Sequence, residues 1–153
     1  MSRARGLRQL ALCGCFAALL AYGSPVRADA ISDWIAIAAD AATARGQGDS
    51  YKRSRVMAAV SIAMYEAVSI NEAGKGSWIM VSAQRPLGAS SEAAAAAAAH
   101  YVLSRLFPQQ QVSFSVNLVR SLEAIPDGEG KFVGQMVGTS VGKNIYALLA
   151  ADL

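Results

Sequence analysis

Seven consecutive alanines at positions 93–99 limit the possible folds of this chain more than any other feature of its sequence. Alanine has the highest helix propensity, and the run follows Ser90, Ser91 and Glu92, which are typical of a helix start. Thirty-one of the 153 residues are alanine, and only four are proline. This composition favours an all-helical protein. It argues against a β-sandwich or barrel, which needs β-branched and aromatic residues and frequent turns.

Apolar spacing, capping residues and helix breakers divide the chain into five predicted helices. They cover residues 32–45, 52–71, 90–107, 108–124 and 129–151. The second helix is apolar on nearly every side between Val56 and Ile70, which predicts burial on most sides. The expected fold is therefore an all-α bundle of about five helices with a central, largely buried helix at about 52–71. Within the connector at 73–89, the apolar residues 78–81 are expected to form a short extended piece.

The spacing of apolar residues also predicts which faces of the helices are buried. In the first helix, Ser32 is the expected N-cap. The expected buried face of that helix is Trp34, Ile37, Ala38 and Ala41. In the fourth helix, the expected apolar face is Val112, Val116, Val119 and Leu122, with Phe114 and Leu118 nearby.

Four glycines recur every four residues along the last helix, at Gly130, Gly134, Gly138 and Gly142. An interior glycine costs about 1 kcal/mol relative to alanine, so the row indicates a groove that another helix occupies at short distance. We expect the five-helix set to leave this groove open. We therefore predict that the chain associates through helix 129–151, either with itself or with a missing C-terminal half. Gly138→Leu is expected to weaken this association.

The first 28 residues have the pattern of a secretory signal peptide. Arg3, Arg5 and Arg8 precede an apolar stretch at 10–22, and Val26 and Ala28 stand at the −3 and −1 positions of a cleavage site. The stretch is short of the roughly 20 apolar residues of a membrane span, although an uncleaved anchor is the alternative. The predicted organisation is a signal peptide at 1–28 and a helical domain at 29–153. The predicted location is periplasmic or extracellular, with no stable membrane span after cleavage.

Cleavage changes the charge of the chain. It removes four of the 14 basic residues and none of the 11 acidic ones, so a formal charge of +3 becomes −1. The basic character belongs to the leader, and no nucleic-acid partner is expected. Cys13 and Cys15 also leave, which excludes a disulfide or thiolate chemistry in the mature protein.

Basic residues crowd the start of the second helix, at Lys52, Arg53 and Arg55. This is the unfavourable end for positive charge in the helix dipole. Two interpretations are open: the side chains are solvated, or they have a partner, either carboxylates elsewhere or an anion.

The sequence offers little catalytic chemistry. His100 is the only histidine, and no cysteine remains to complete a metal site, so it is interpreted as a hydrogen-bonded or exposed helix histidine. Residues 127–130 are interpreted as a turn in which Asp127 caps the next helix, because the alternating oxygen ligands of a calcium loop are missing. No phosphate loop or Gly-x-Ser-x-Gly elbow occurs. No catalytic, cofactor-binding or metal-binding residue is assigned.

The order of several segments resembles the N-terminal half of secreted vanadium-dependent haloperoxidase-like proteins, of the type 2 phosphatidic acid phosphatase and haloperoxidase superfamily. The resemblance covers about residues 30–150. The segments are I-S-D-W-I-A-I-A (31–38), Arg55 with M-A-A-V-S-I-A-M-Y-E-A-V-S-I (57–70), A-S-S-E-A-A-A-A-A-A-A-H (89–100), V-L-S-R-L-F-P (102–108) and S-L-E-A-I-P-D-G (121–128).

The chain departs from the family pattern in ways that bear on activity. Ile35 replaces an Asn, Ser61 a His, and Glu66 and Ser69 an Asp and an Asn. The oxyanion-site motifs, which resemble Lys-x6-Arg-Pro, Pro-Ser-Gly-His and Ser-Arg-x5-His, do not occur before the sequence ends at Leu153. The family's chemistry is phosphate-ester hydrolysis or vanadate-assisted halide oxidation. No residue of that site carries over, so neither vanadate nor phosphate is an expected cofactor of this chain.

Three hypotheses follow. In the first, the chain is a non-catalytic N-terminal scaffold of such a protein, as a truncated, split or degenerate relative. In the second, it is an exported helical binding or assembly module without enzymatic activity. In the third, it is an enzyme of another kind, although the sequence favours no activity for this chain alone. A downstream reading frame with Pro-Ser-Gly-His would favour the first hypothesis.

We predict cleavage after Ala28, because small residues at −3 and −1 follow a positive n-region and an apolar stretch. N-terminal sequencing of the exported protein is expected to begin at Asp29. A protein that begins upstream of Asp29 contradicts the prediction.

Overall fold

The computed structural model describes residues 30–44, 50–71 and 88–150, and 91% of these residues are helical, with no strand among them. The elements are α1 (Ala30–Ala44), α2 (Ser50–Asn71), α3 (Ser91–Leu106), a 3-10 turn (Pro108–Gln110), α4 (Gln111–Glu123) and α5 (Glu129–Ala150). The predicted all-α bundle of five helices is confirmed. The signal peptide at 1–28 and the apolar piece at 78–81 lie outside the described residues.

Two helices form the centre of the bundle. Helix α2 packs against α1, α3 and α5, as expected of a central helix, and its second half is largely buried. Helix α3 packs against all four other helices. All seven alanines at 93–99 are buried, and seven consecutive residues occupy every side of a helix. The alanine run therefore marks a helix with neighbours on all sides.

Helix α3 begins at a well-defined cap. The Ser90 side chain accepts a hydrogen bond from the Ala93 amide at 3.2 Å, and the Ser90 amide donates to the Gly130 carbonyl at 2.8 Å. Gly88 just before it has a φ of +79°, which L side chains rarely adopt. The predicted start at Ser90 or Ser91 is confirmed, and the cap also ties the start of α3 to the start of α5.

Helices α3 and α5 meet backbone to backbone along the glycine row. A Cβ added at Gly142 would lie 2.9 Å from the Ala98 carbonyl oxygen, and one at Gly138 would collide with the Ala94 carbonyl. The expectation that another helix occupies the groove at short distance is confirmed, and the occupant is α3 of the same chain. The expectation that the five-helix set leaves the groove open is wrong. Gly138→Leu would therefore disrupt the fold itself rather than act on a surface between molecules.

Helix α1 presents the predicted face to the core. Trp34, Ala38 and Ala41 are buried, and Ile37 packs against the core from its edge. The N-cap prediction is wrong, since the helix begins at Ala30 and Ser32 lies inside it. The predicted end of this helix at residue 45 lies outside the described residues.

Helix α4 is turned differently from the prediction. Val112, Val116 and Val119 are 79%, 47% and 54% exposed, so the expectation that they face the core is wrong. Phe114 and Leu118, which were expected near that face, are the ones that meet the core: Phe114 is buried and Leu118 packs against it. Leu122 is half-buried. Two faces of this helix carry apolar residues at helical spacing. The face with the large Phe114 is buried because a phenyl ring removes more apolar surface from water than a valine.

No helix in the described part of the chain is long and apolar enough to cross a membrane.

The α3–α5 contact yields a stability prediction. Gly138→Ala adds a methyl group where the Ala94 carbonyl lies, and it is expected to lower the free energy of unfolding by about 1–3 kcal/mol, despite about 1 kcal/mol of gained helix propensity. Urea denaturation followed by circular dichroism measures the change. Ser140→Ala, at an exposed position of α5, is the control and is expected to stay within about 0.5 kcal/mol of wild type. A Gly138→Ala protein more stable than wild type would contradict this packing.

Candidate functional site

A polar cluster lies where α1, α3 and α4 meet, around His100. The His100 Nε2 atom lies 3.2 Å from the Ser115 hydroxyl of α4 and 3.4 Å from the Ser104 hydroxyl of its own helix. Ser104 is one turn beyond His100, so helical spacing alone brings these two together. The interpretation of His100 as a hydrogen-bonded helix histidine is confirmed.

Trp34 connects α1 to this cluster. Its indole ring stands nearly perpendicular to the imidazole of His100, at 81° with 6.4 Å between ring centroids. Its Nε1–H donates to the Ser121 hydroxyl at 3.1 Å, and Ser121 in turn donates to the Asn117 carbonyl at 3.0 Å. A buried tryptophan needs an acceptor for its N–H group, and a serine of α4 supplies it. The cluster therefore joins three helices through one aromatic contact and several hydrogen bonds.

Burial lowers the pKa of His100 below its usual 6.5, because the protonated ring loses solvation inside the protein. The groups that face the ring are the hydroxyls of Ser104 and Ser115 and the indole of Trp34, none of which is charged. Activation of a serine nucleophile by histidine ordinarily includes a carboxylate that orients the ring. The contacts that the described residues make with His100 are two hydroxyl groups and the edge of an indole, and they hold the ring by hydrogen bonding and packing.

Sequence reasoning singled out His100 but missed its partners. Ser104 follows His100 by four residues, so helical spacing alone could have predicted their contact. Ser115, Ser121 and Trp34 are far from His100 in sequence, and no periodicity links them. Only the packing of α1 and α4 on α3 brings these groups together.

Two polar residues of α2, Glu66 and Ser69, are buried. The Ser69 hydroxyl has no hydrogen-bond partner within the described part of the chain. Both stand in a helix that is otherwise largely apolar between Val56 and Ile70, and hydropathy alone does not tell which side of such a helix faces the core.

A shallow cavity of about 420 Å³ lies at the turn between α4 and α5. It is lined by Glu123, Ala124, Ile125, Pro126, Asp127 and Lys131. Lys131 Nζ donates to the Ile125 carbonyl at 3.2 Å and to Asp127 Oδ1 at 2.8 Å. The hydrogen bond from Lys131, followed by its charge, lowers the pKa of the Asp127 carboxyl. Because the two charged groups satisfy each other and the carbonyl, this arrangement holds the turn.

The basic start of α2 is partly explained by a contact within the helix. The Arg55 guanidinium donates to the Tyr51 hydroxyl at 2.9 Å, and its carbon lies 5.3 Å from the centre of that ring. Arg55 thus contacts an aromatic residue one turn away. Within the described residues no group of three or more His, Cys, Asp or Glu side chains is placed to hold a metal ion.

Comparison of the chain with protein-family models, with curated proteins and with solved structures finds no match.

The lowered pKa of His100 predicts a pH dependence of stability. The unfolded chain takes up the proton more readily than the folded chain, so this contribution is fully present above pH 6.5 and is lost as the pH falls through the folded pKa. Urea denaturation between about pH 7.5 and pH 5.5 should show a falling free energy of unfolding. His100→Gln keeps a polar side chain but does not titrate, and its stability should fall less. An identical fall in both proteins would contradict the assignment.

Proposed function

We propose that this chain is a non-catalytic N-terminal helical scaffold of an exported haloperoxidase-like and acid-phosphatase-like protein, as a truncated or degenerate relative. One observation carries the proposal. Trp34, His100 and Ser121 come from three different segments of the resemblance, at 31–38, 89–100 and 121–128, and they meet in one cluster. If the chain shares its helical scaffold with that family, the segments that carry the resemblance must pack against one another, as these three do. The contact between these segments supports the proposal.

The non-catalytic part of the proposal rests on the sequence. The motifs that would hold a tetrahedral oxyanion in the family do not occur in the chain, and a single histidine is present. In that chemistry positive groups and hydrogen-bond donors surround the oxyanion, and a histidine acts as nucleophile or axial ligand. The neighbours of His100 are two hydroxyls and an indole, which suit a ring held in place for packing.

Exposed apolar faces support a role in association. The valines of α4 form one exposed row, and Phe132 and Met136 on α5 are 63% and 56% exposed. Grouped exposed apolar side chains on a folded domain mark contact surfaces. We propose that these faces bind either a separately encoded catalytic half of the protein or a second copy of the chain. Helix α5 is the main contact element in this proposal.

The exported location is part of the same proposal. Its support is the positive n-region, the apolar stretch and the Val26 and Ala28 pair.

The second candidate is an exported helical binding or assembly module that functions without any catalytic half. The row of Val112, Val116 and Val119 favours it, because the domain is folded while this row stays uncovered among the described residues. The two candidates differ in what surrounds the gene. A neighbouring reading frame with Pro-Ser-Gly-His, whose product co-purifies with this chain, supports the first. A stable exported product without such a partner supports the second.

The purified protein is expected to show no bromide oxidation with vanadate and peroxide, and no hydrolysis of a phosphate monoester. The reason is that it lacks the oxyanion-site motifs of the family. A standard bromination assay and a chromogenic phosphatase assay measure the two activities. Vanadate-dependent turnover that is lost in His100→Ala would overturn the proposed function.

A further inference from the structure

The outward side of α5 carries a row of exposed residues. These residues, called here the outer stripe, are Glu129, Phe132, Met136, Ser140, Lys143 and Ala147. They recur at steps of three and four, which keeps them on one side of a helix. The glycine row and the buried Val141 and Ile145 occupy the opposite side, against α3. The outer stripe is therefore a helix face that no other described element covers.

Two residues of opposite charge lie at the ends of the 129–143 segment of this stripe. Glu129 and Lys143 are exposed, and neither takes part in an ion pair within the described part of the chain. They are fourteen residues apart, which is two heptads, so both point to the same side of a helix that pairs with another helix. The two largest apolar side chains of the stripe, Phe132 and Met136, lie between them.

We propose that the outer stripe of α5 pairs with the same stripe of a second copy of this chain, in an antiparallel arrangement whose two-fold axis passes beside Met136. This inference deepens the proposed association through α5 and rests on it. In this register Glu129 of each copy lies opposite Lys143 of the other. Phe132 lies opposite Ser140, so a large side chain meets a small one, and the two Met136 side chains meet at the axis.

Charge complementarity selects this partner and this direction. In a parallel pair Glu129 would face Glu129 and Lys143 would face Lys143, and both contacts repel. The antiparallel pair replaces two repulsions with two attractions. The exposed row on α4 offers no such pairing, since it consists of three valines.

The paired length sets the expected strength. From Glu129 to Lys143 the helix rises about 21 Å, so the contact is smaller than a standard protein interface of about 1,600 Å². A dimer with a dissociation constant in roughly the micromolar to submillimolar range is expected. Exposed ion pairs contribute little individually, so burial of Phe132 and Met136 drives association, and the charges fix its direction.

Charge reversal tests the arrangement in the purified protein. Analytical ultracentrifugation from about 10 to 500 µM is expected to show a reversible dimer. Glu129→Lys alone and Lys143→Glu alone should each weaken it roughly tenfold or more, because each places two like-charged pairs in the dimer. The double variant restores both attractions, as does an equimolar mixture of the two single variants. Glu123→Lys makes the same charge change on α4, outside the stripe, and should leave the dimer unchanged.

A further variant distinguishes loss of the dimer from loss of the fold. Met136→Lys places two positive charges at the axis while the residue stays exposed in the monomer, so it should abolish the dimer with an unchanged circular dichroism spectrum. A wild-type protein that is monomeric over the whole range, or a dimer that charge reversal leaves unchanged, overturns the inference. Either result leaves the scaffold proposal standing, since that proposal is tested separately, by the activity assays and by the search for a neighbouring reading frame.

Discussion

The close approach of α3 and α5 is the contact on which the rest of the bundle depends. It exists because the facing residues have almost no side chains: alanines at 94 and 98 on one helix, and Gly138 and Gly142 on the other. Each interior glycine costs about 1 kcal/mol in helix propensity, so the row is favourable only where close contact compensates for it. With α5 held against its backbone, α3 also accommodates α1, α2 and α4 around the same alanine run.

A core built from alanines needs a few large groups to position the outer helices. Trp34 does this for α1, and Phe114 does it for α4; both are buried in the same core cluster as the alanines of α3. The hydrogen bonds of Trp34 with Ser121 and of His100 with Ser115 add directional contacts to apolar ones. This explains why α4 turns its serine-bearing side inward. Its hydroxyls accept the Trp34 N–H group and add a second partner to His100 beside Ser104.

The exposed sides of α4 and α5 bear on the proposed function. The side of α5 with the glycines is used inside the chain, so any association through this helix uses the side with Phe132 and Met136. The exposed valines of α4 form a second surface of different character, without charges that select an orientation. The proposed role in contacting other chains rests on these two exposed apolar faces, of which the one on α5 is flanked by opposite charges.

Local sequence patterns determined the class of fold and most helix limits, because helix propensity, caps and the stop at Pro108 act over a few residues. They also predicted a close neighbour for the glycine row and the buried face of α1. They did not identify that neighbour, because α3 and α5 are far apart in sequence and any thin helix satisfies the same pattern. The face of α4 was predicted wrongly for a related reason. Hydropathy favours valines over serines, whereas Phe114, His100 and Trp34 together decide the orientation, and only the tertiary structure brings these three residues to one place.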